Sequence, residues 1–178
     1  MILNKYVMNL YQLYKGQENE IQPKIEVNVK QITMENYQEV SKILSIKNLK
    51  NYFKKFLEED CIGIYLEHEG KIVGYGWLKY TGRDTFYKVQ HTCYLSTFYV
   101  ADECRGKRLY PYMITQLIKV GSEKYQTNGP FYISAYTTNT SSLKGIEKVG
   151  FALVGTRTFI RLLKITLGKY KLGEKENV

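Results

Sequence analysis

Cysteine, histidine and proline are scarce in this sequence, and long apolar runs are missing. The 178 residues include three cysteines, two histidines and three prolines. Because Cys61, Cys93 and Cys104 are odd in number and widely spaced, they fit neither a disulfide framework nor a zinc site, so we predict reduced thiols and no bound metal. The sequence has no run of about 18 apolar residues, so no membrane span is predicted. The first residues lack the pattern of a secretory signal, so the cytoplasm is the expected location.

Positive charge and aromatic residues are plentiful. Lysine and arginine number 26 against 17 acidic residues, which gives a formal net charge of +9, and 14% of the residues are aromatic. Such a surface attracts anions, whether nucleic acid, anionic lipid or a phosphorylated small molecule. The basic residues are spread along the chain, which argues against specific nucleic-acid binding. A mild basic enrichment over residues 157–175 leaves peripheral binding of nucleic acid or of an anionic membrane through these residues as an alternative.

The length predicts one domain that carries an extension at its N terminus. Residues 1–22 have apolar residues at a spacing closer to helical than to strict alternation. They are interpreted as an appended element of undefined type, packed on the domain or partly flexible. Residues 23–170 form the predicted domain, and residues 171–178 form a polar tail.

Hydrophobic periodicity predicts a mixed α/β fold with the order β-α-α-β-β-β-α-β-α-β-β. Alternating β-branched and aromatic residues predict the strands, at residues 25–32, 61–66, 71–80, 87–100, 131–137, 151–156 and 158–167. Helical spacing predicts the helices, one after Thr33, a second over 49–58, a third from Leu109 to Tyr125 and a fourth that ends near Lys148. This order requires both antiparallel hairpins and crossover connections.

A basic, glycine-containing turn, Arg105 to Pro111, separates a strand that ends at Val100 from an amphipathic helix that begins at Leu109. The first amides of a helix have no intrahelical acceptor, the helix dipole adds positive charge there, and the basic side chains add full charges. The turn therefore predicts a site for a ligand with a pyrophosphate. Cys104 lies beside Arg105, a setting that can lower a thiol pKa, although a passive loop thiol is the favoured interpretation.

Two motifs resemble those of the GNAT acetyltransferase superfamily. The run Val-Ala-Asp-Glu-Cys-Arg-Gly-Lys-Arg-Leu-Tyr at residues 100–110 is similar to the family's acetyl-CoA pyrophosphate loop, Arg/Gln-x-x-Gly-x-Gly/Ala. The second motif, similar to the family's Asn-x-x-Ala-x-x-x-Tyr-x-Lys-x-Gly-Phe, consists of Asn139, Ser142, Ile146, Lys148, Gly150 and Phe151. The resemblance covers residues 25–167 and implies a central mixed sheet of about six to seven strands flanked by about four helices. It also implies acetyl-CoA as cosubstrate.

The resemblance further implies where acetyl-CoA would bind. Its cleft would open where the strand ending at Val100 diverges from the strand at residues 131–137. Backbone groups of the first strand would pair with the pantetheine arm, and amides of the turn would hold the pyrophosphate. The residues implied as cofactor-binding are Phe98, Tyr99, Val100, Arg105, Gly106, Lys107, Arg108, Leu109, Tyr110, Asn139 and Ser142.

Three positions depart from the family pattern. Arg108 stands where the family has glycine, and Tyr110 where it has glycine or alanine. Ile146 replaces the tyrosine that protonates the departing thiolate in many members, so another group donates that proton or the thiolate leaves unassisted, which a thiol pKa of about 8.5 allows. These departures leave a catalytically degenerate acyl-CoA-binding module as an alternative to an enzyme.

Direct transfer requires a neutral amine, and therefore a group that accepts a proton from the ammonium form. Tyr94, His91 and Glu67 are the catalytic candidates on or near the central strands, whereas His68 is better explained as a turn residue. The form of the phosphate turn resembles members from bacterial surface-polysaccharide pathways, which suggests an amino sugar or a nucleotide-linked amino sugar as acceptor. A protein or peptide amine is the alternative, and an antibiotic or an amino acid stays open as acceptor. Either a monomer or a homodimer is compatible with the sequence.

Overall fold

A computed structural model describes residues 4–44, 48–83, 90–162 and 165–172 of the chain. The strands are β1 (Asn4–Leu13), β2 (Asn28–Ile32), β3 (Ile62–His68), β4 (Lys71–Arg83), β5 (Gln90–Val100), β6 (Phe131–Tyr136), β7 (Ala152–Leu162) and β8 (Ile165–Leu172). The helices are α1 (Tyr37–Val40), α2 (Leu49–Glu58), α3 (Leu109–Tyr125) and α4 (Thr140–Val149). No helix within these ranges has both the length and the apolar character needed to cross a membrane.

All of these strands form one mixed sheet. Its order is β2-β3-β4-β5-β6-β1-β7-β8. The β5–β6 pair is parallel, and the other neighbours are antiparallel. The predicted mixed α/β class with four helices is therefore confirmed, and the described sheet holds one strand more than the predicted order.

The additional strand is β1, which lies inside the sheet between β6 and β7. Its spacing looked closer to helical because the strand is covered on both faces, so apolar residues do not alternate with polar ones. Leu10 and Tyr11 are adjacent and both buried: Leu10 packs with Tyr132 on one face, and Tyr11 joins the main core on the other. A register shift against β7 falls between these two residues.

The break predicted at Arg157 was wrong, because β7 continues through this residue. The three residues Thr156, Arg157 and Thr158 pair with consecutive residues of β1. Pairing with β1, from the opposite end of the chain, keeps Arg157 in the strand although the local sequence pattern predicts a break at this residue. The side chains beyond Phe159, which include most of the basic enrichment at 157–175, lie outside the described part of the structure.

Helices cover both faces of the sheet. On one face α3 packs an apolar stripe into the main core, and its buried residues include Leu109, Met113, Leu117, Ile118 and Gly121. On the other face α2 inserts Phe53, whose ring lies 4.9 Å from that of Tyr75 and 5.1 Å from that of Trp77. Edge-to-face aromatic pairs of this kind stabilise by about 1 kcal/mol beyond the burial of their area.

The strands β5 and β6 separate after only three paired positions, Cys93 with Phe131 through Leu95 with Ile133. Beyond that point β5 continues to Val100 and β6 to Tyr136, each held by its other neighbour, β4 or β1. A V-shaped gap therefore opens in the middle of the sheet. The carboxyl ends of parallel strands form such crevices, and these are common ligand sites.

A β-bulge lies on β5 beside this gap. Tyr75 pairs with Tyr99 and Trp77 with Ser96, so Gly76 faces two residues, Thr97 and Phe98. Thr97 has a φ of +56°, an uncommon conformation for a β-branched residue. Bulges redirect side chains next to functional sites, and here the ring of Phe98 lies against Gly76.

Candidate functional site

A cavity of about 560 Å³ lies beside the end of β5, beyond its last residue paired with β6. The end of β5, the loop that leads into α3 and the first half of α4 line it. All the residues predicted to bind the cosubstrate except Lys107 are among its walls: Phe98, Tyr99, Val100, Arg105, Gly106, Arg108, Leu109, Tyr110, Asn139 and Ser142. The volume is within the usual range for a small-molecule site.

The loop before α3 presents its backbone amides as an anion site. Gly106 has a φ of +75° and Arg108 a φ of +63°, and α3 begins at Leu109. Within the described residues, none of the amides from 106 to 110 donates to a protein acceptor. Gly106 and Arg108 also line the cavity, and the dipole of α3 adds positive charge at these amides.

Arg108 adopts the conformation for which the family pattern has glycine. A left-handed conformation costs an L-residue about 1 kcal/mol. The Arg108 side chain is exposed, so the substitution adds backbone strain and a positive charge at the surface of the loop.

The charges of the loop do not all face the cavity. An ion pair of 2.6 Å joins the guanidinium of Arg105 to Asp102, and both side chains are exposed, so Asp102 offsets part of this positive charge. Lys107 is exposed, and its carbonyl accepts a hydrogen bond from the amide of Lys24 at 2.9 Å. The backbone amides therefore form the loop's main contribution to an anion site.

Tyr110 fits the site because α4 has a glycine opposite it. A Cβ on Gly145 would lie 2.6 Å from the Tyr110 ring, so any other residue there would collide with it. The ring also meets Phe98 edge-on, with centroids 5.0 Å apart. Burial raises the pKa of the Tyr110 hydroxyl, and a hydrogen bond with Ser142 opposes that shift, so the hydroxyl is protonated near neutral pH.

The start of α4 is organised by the second sequence motif. Asn139 caps the helix, and its side-chain oxygen accepts a hydrogen bond of 3.1 Å from the Ser142 amide. Gly150 ends the helix with a φ of +107°, the left-handed conformation that favours glycine. Ile146 is fully buried in the main core and does not line the cavity, so its role is packing.

The catalytic candidates occupy three different settings. The hydroxyl of Tyr94 forms a hydrogen bond with Ser134 across the point where β5 and β6 separate. Glu67 is at the other end of the sheet, where both its oxygens lie 2.9 Å from the Lys30 ammonium. His91 belongs to β5, and its side chain lies outside the described part of the structure. Of the three, only Tyr94 is placed by its described contacts at the gap.

The remaining polar candidates have structural partners. Nδ1 of His68 lies 2.7 Å from the carbonyl of Glu26. Cys104 is buried at the edge of the cavity, and burial raises its pKa, with a further contribution from Glu103. A thiol of this kind is not activated, which agrees with the passive role. In the described ranges no group of histidine, cysteine and acidic residues is arranged to hold a metal.

Two residues at the site, Ser134 and Gly145, were not predicted from the sequence. Ser134 is a small polar residue in an otherwise apolar strand, and Gly145 is a glycine in a helix interior, a position that usually has a packing reason. Both features were visible in the sequence. Their partners, Tyr94 and Tyr110, could be assigned only once the fold brought the elements together.

Solved structures of similar fold span different parts of the chain. A GNAT-family acetyltransferase from Colwellia psychrerythraea, 15% identical, covers 97% of this chain with a TM-score of 0.65, and the chain spans 58% of the length of that protein. A predicted acetyltransferase from Clostridium acetobutylicum, solved with acetyl-CoA, is 14% identical and has a TM-score of 0.55, with 71% of this chain and 90% of that one covered.

A third similar structure is an aminoglycoside antibiotic 6'-N-acetyltransferase from Acinetobacter haemolyticus. It is 12% identical and has a TM-score of 0.56, with 70% of this chain and 90% of that one covered. At these identities the likeness concerns the fold alone. No curated protein matches the sequence significantly.

The family is decided by a match over most of the chain. The family model of the acetyltransferase (GNAT) family matches residues 27–151, which contain β2 through α4 and therefore the whole cavity. This chain belongs to the acetyltransferase (GNAT) family.

Proposed function

We propose that this protein transfers the acetyl group of acetyl-CoA directly to the primary amine of a small molecule. The observation that carries the proposal is the loop before α3, whose amides from residue 106 to residue 110 have no protein acceptor in the described structure and border a cavity at a gap in the sheet. Charged phosphate oxygens satisfy such amides well, because charge-assisted hydrogen bonds are stronger than neutral ones. The same loop resembles the pyrophosphate loop of the family.

The edge of β5 would hold the pantetheine arm. Past the last paired position, Val100 and its neighbours are not paired with β6. Their backbone groups on the β6 side are therefore available to amides of a ligand, much as a strand edge accepts another strand. Asn139 and Ser142 on α4 line the opposite wall. The site therefore offers backbone contacts to the arm and to the pyrophosphate within one cavity.

In the proposed reaction, the amine nitrogen attacks the thioester carbonyl carbon. A carbon–nitrogen bond forms, the carbon–sulfur bond breaks, and its electron pair leaves with the sulfur as a thiolate. The nitrogen loses a further proton, which reaches the thiolate through solvent, so the products are the amide and the CoA thiol. The hydroxyl pair of Tyr94 and Ser134 accepts the proton of the ammonium group and passes it toward solvent. Glu67 is engaged by Lys30, and His91 stays a prediction from the sequence.

An amino sugar is our proposed acceptor class. The residues on the strands at the gap are hydroxyl-bearing and aromatic: Tyr94, Ser134 and the exposed Tyr136. Neutral hydroxyls at fixed positions suit recognition of a polyhydroxylated ring. The form of the phosphate turn supports the same class, with a nucleotide-linked amino sugar or a peptide amine as competing acceptors.

The function is tested by calorimetry with acetyl-CoA, followed by a thiol-release assay over amino sugars, nucleotide-linked amino sugars and peptides. Binding with turnover on an amino sugar supports the proposal. Binding without turnover on any amine would instead identify an acyl-CoA-binding module. If acetyl-CoA does not bind at all, both functions are excluded.

Tyr94→Phe should separate the proton relay from ligand binding. We expect kcat to fall about 100-fold, the size typical of a lost general acid–base group, while the Kd for acetyl-CoA stays within about twofold. The matched control is Tyr132→Phe, since the Tyr132 hydroxyl lies on the adjacent strand and accepts from Gln12 at 3.1 Å. Equal losses in the two variants, or full turnover by Tyr94→Phe, would contradict the relay.

A further inference from the structure

The segment between β1 and β2, residues 14–27, is fastened to the domain beside the cavity. The Asn19 amide donates to the carbonyl of Val149, and its side-chain amide donates to that of Lys148, so the segment caps the end of α4. Ile21 is buried in the main core. Farther along, the amide of Lys24 donates to the carbonyl of Lys107 in the loop before α3, at 2.9 Å.

The hydrogen bond from the Lys24 amide to the Lys107 carbonyl fixes the orientation of a single peptide plane. In a trans peptide, a carbonyl and the amide that follows it point in opposite directions. Because the Lys107 carbonyl points to Lys24, the Arg108 amide points away from the segment. Arg108 lines the cavity, and its amide has no protein acceptor in the described structure. The Lys24 bond thus holds one of the loop's free amides in a defined direction.

The loop has little else to hold this peptide plane. Gly106 and Arg108 on either side have positive φ values, and Gly106, Lys107 and Arg108 are exposed. Within the described residues, the carbonyl of Lys107 accepts one backbone hydrogen bond from outside the loop, and Lys24 donates it. Loss of this donor would let the 107–108 peptide rotate and remove one amide from the anion site.

We propose that the backbone amide of Lys24 is a positioning group that pre-orients the phosphate loop, so that the segment after β1 forms part of the acetyl-CoA site. This inference rests on the proposed function. It assigns a role in ligand binding to a stretch that precedes the family match at residue 27. Pre-orientation raises affinity because the loop is ordered before the ligand arrives.

The test removes the amide hydrogen and leaves the rest of the loop unchanged. Lys24→Pro lacks the donor, since proline has no backbone N–H. The matched variant Lys24→Ala keeps the donor and removes only the side chain. For Lys24→Pro we expect the Kd and KM for acetyl-CoA to rise about tenfold, as for one lost charge-assisted hydrogen bond, with kcat within about twofold. For Lys24→Ala we expect the Kd of the unmodified protein.

The outcomes distinguish this inference from the proposed function. If the unmodified protein does not bind acetyl-CoA, both are overturned. If it binds and Lys24→Pro binds equally well, or if the two variants are equally impaired, only the positioning role is overturned. Should Lys24→Pro fail to fold, amide hydrogen exchange on the unmodified chain decides: the Lys24 amide is expected to exchange more slowly with acetyl-CoA present, and an unchanged rate overturns the role.

Discussion

Gly106→Asp is expected to raise the Kd for acetyl-CoA at least about 100-fold. Gly106 lines the cavity, and a Cβ at this position would meet no atom within 4 Å, so the new side chain fits. Its carboxylate would stand close to the proposed pyrophosphate. Two like charges about 4 Å apart near a protein surface repel by roughly 4 kcal/mol, and about 2.7 kcal/mol already corresponds to 100-fold in affinity.

The control for this variant is Gly106→Asn. Gly106 has a φ of +75°, and both asparagine and aspartate tolerate the left-handed conformation better than other residues do. The two side chains have nearly the same shape, so their difference in Kd isolates the charge. We expect Gly106→Asn to weaken binding only a few-fold and the penalty of Gly106→Asp to shrink as salt is raised. An unchanged Kd for Gly106→Asp would place the pyrophosphate elsewhere.

The features that the sequence predicts well are those specified by nearby residues. The turn at Gly106 and the helix that follows it are local, since basic and glycine residues precede an apolar stripe that starts at Leu109. Capping of α4 by Asn139 and its end at Gly150 are local in the same sense. This explains why the turn before α3 and both ends of α4 could be predicted from the sequence.

The features that the sequence predicts poorly depend on contacts between residues far apart in the chain. β1 pairs with β6 and β7, more than 100 residues away, and its burial on both faces removes the alternation that identifies a strand. The fit of Tyr110 against Gly145 and the bond from Lys24 to Lys107 also join different elements. No local pattern contains these partners, so they emerge only from the folded chain.

Gly76→Ala is expected to damage both stability and transfer. A Cβ at Gly76 would lie 2.4 Å from the ring of Phe98, with Leu117 at 3.2 Å behind it. The Phe98 ring lines the cavity and already contacts Tyr110 on one side. The added methyl group would therefore push the ring further into the cavity. Overpacking of this kind costs about 1–3 kcal/mol of the free energy of unfolding. We expect kcat/KM to fall at least about 100-fold, because a displaced ring would obstruct the pantetheine arm.

A comparison of two glycines separates lost stability from a damaged site. Gly63→Ala is the matched control, because its Cβ would lie 2.7 Å from the ring of Trp77, which packs with Phe53 and Phe56 and is not part of the cavity wall. Urea unfolding should show similar losses of stability for both variants, whereas acetyl transfer by the folded fraction should fall only for Gly76→Ala.

Phe98→Leu completes a double-mutant cycle with Gly76→Ala. If the clash with the ring is the cause, the two changes at Gly76 and Phe98 together should cost less stability than the sum of the single changes, since residues in contact couple by 0.5–3 kcal/mol, roughly. Strictly additive losses would mean that Gly76 acts through the bulge at Thr97 instead.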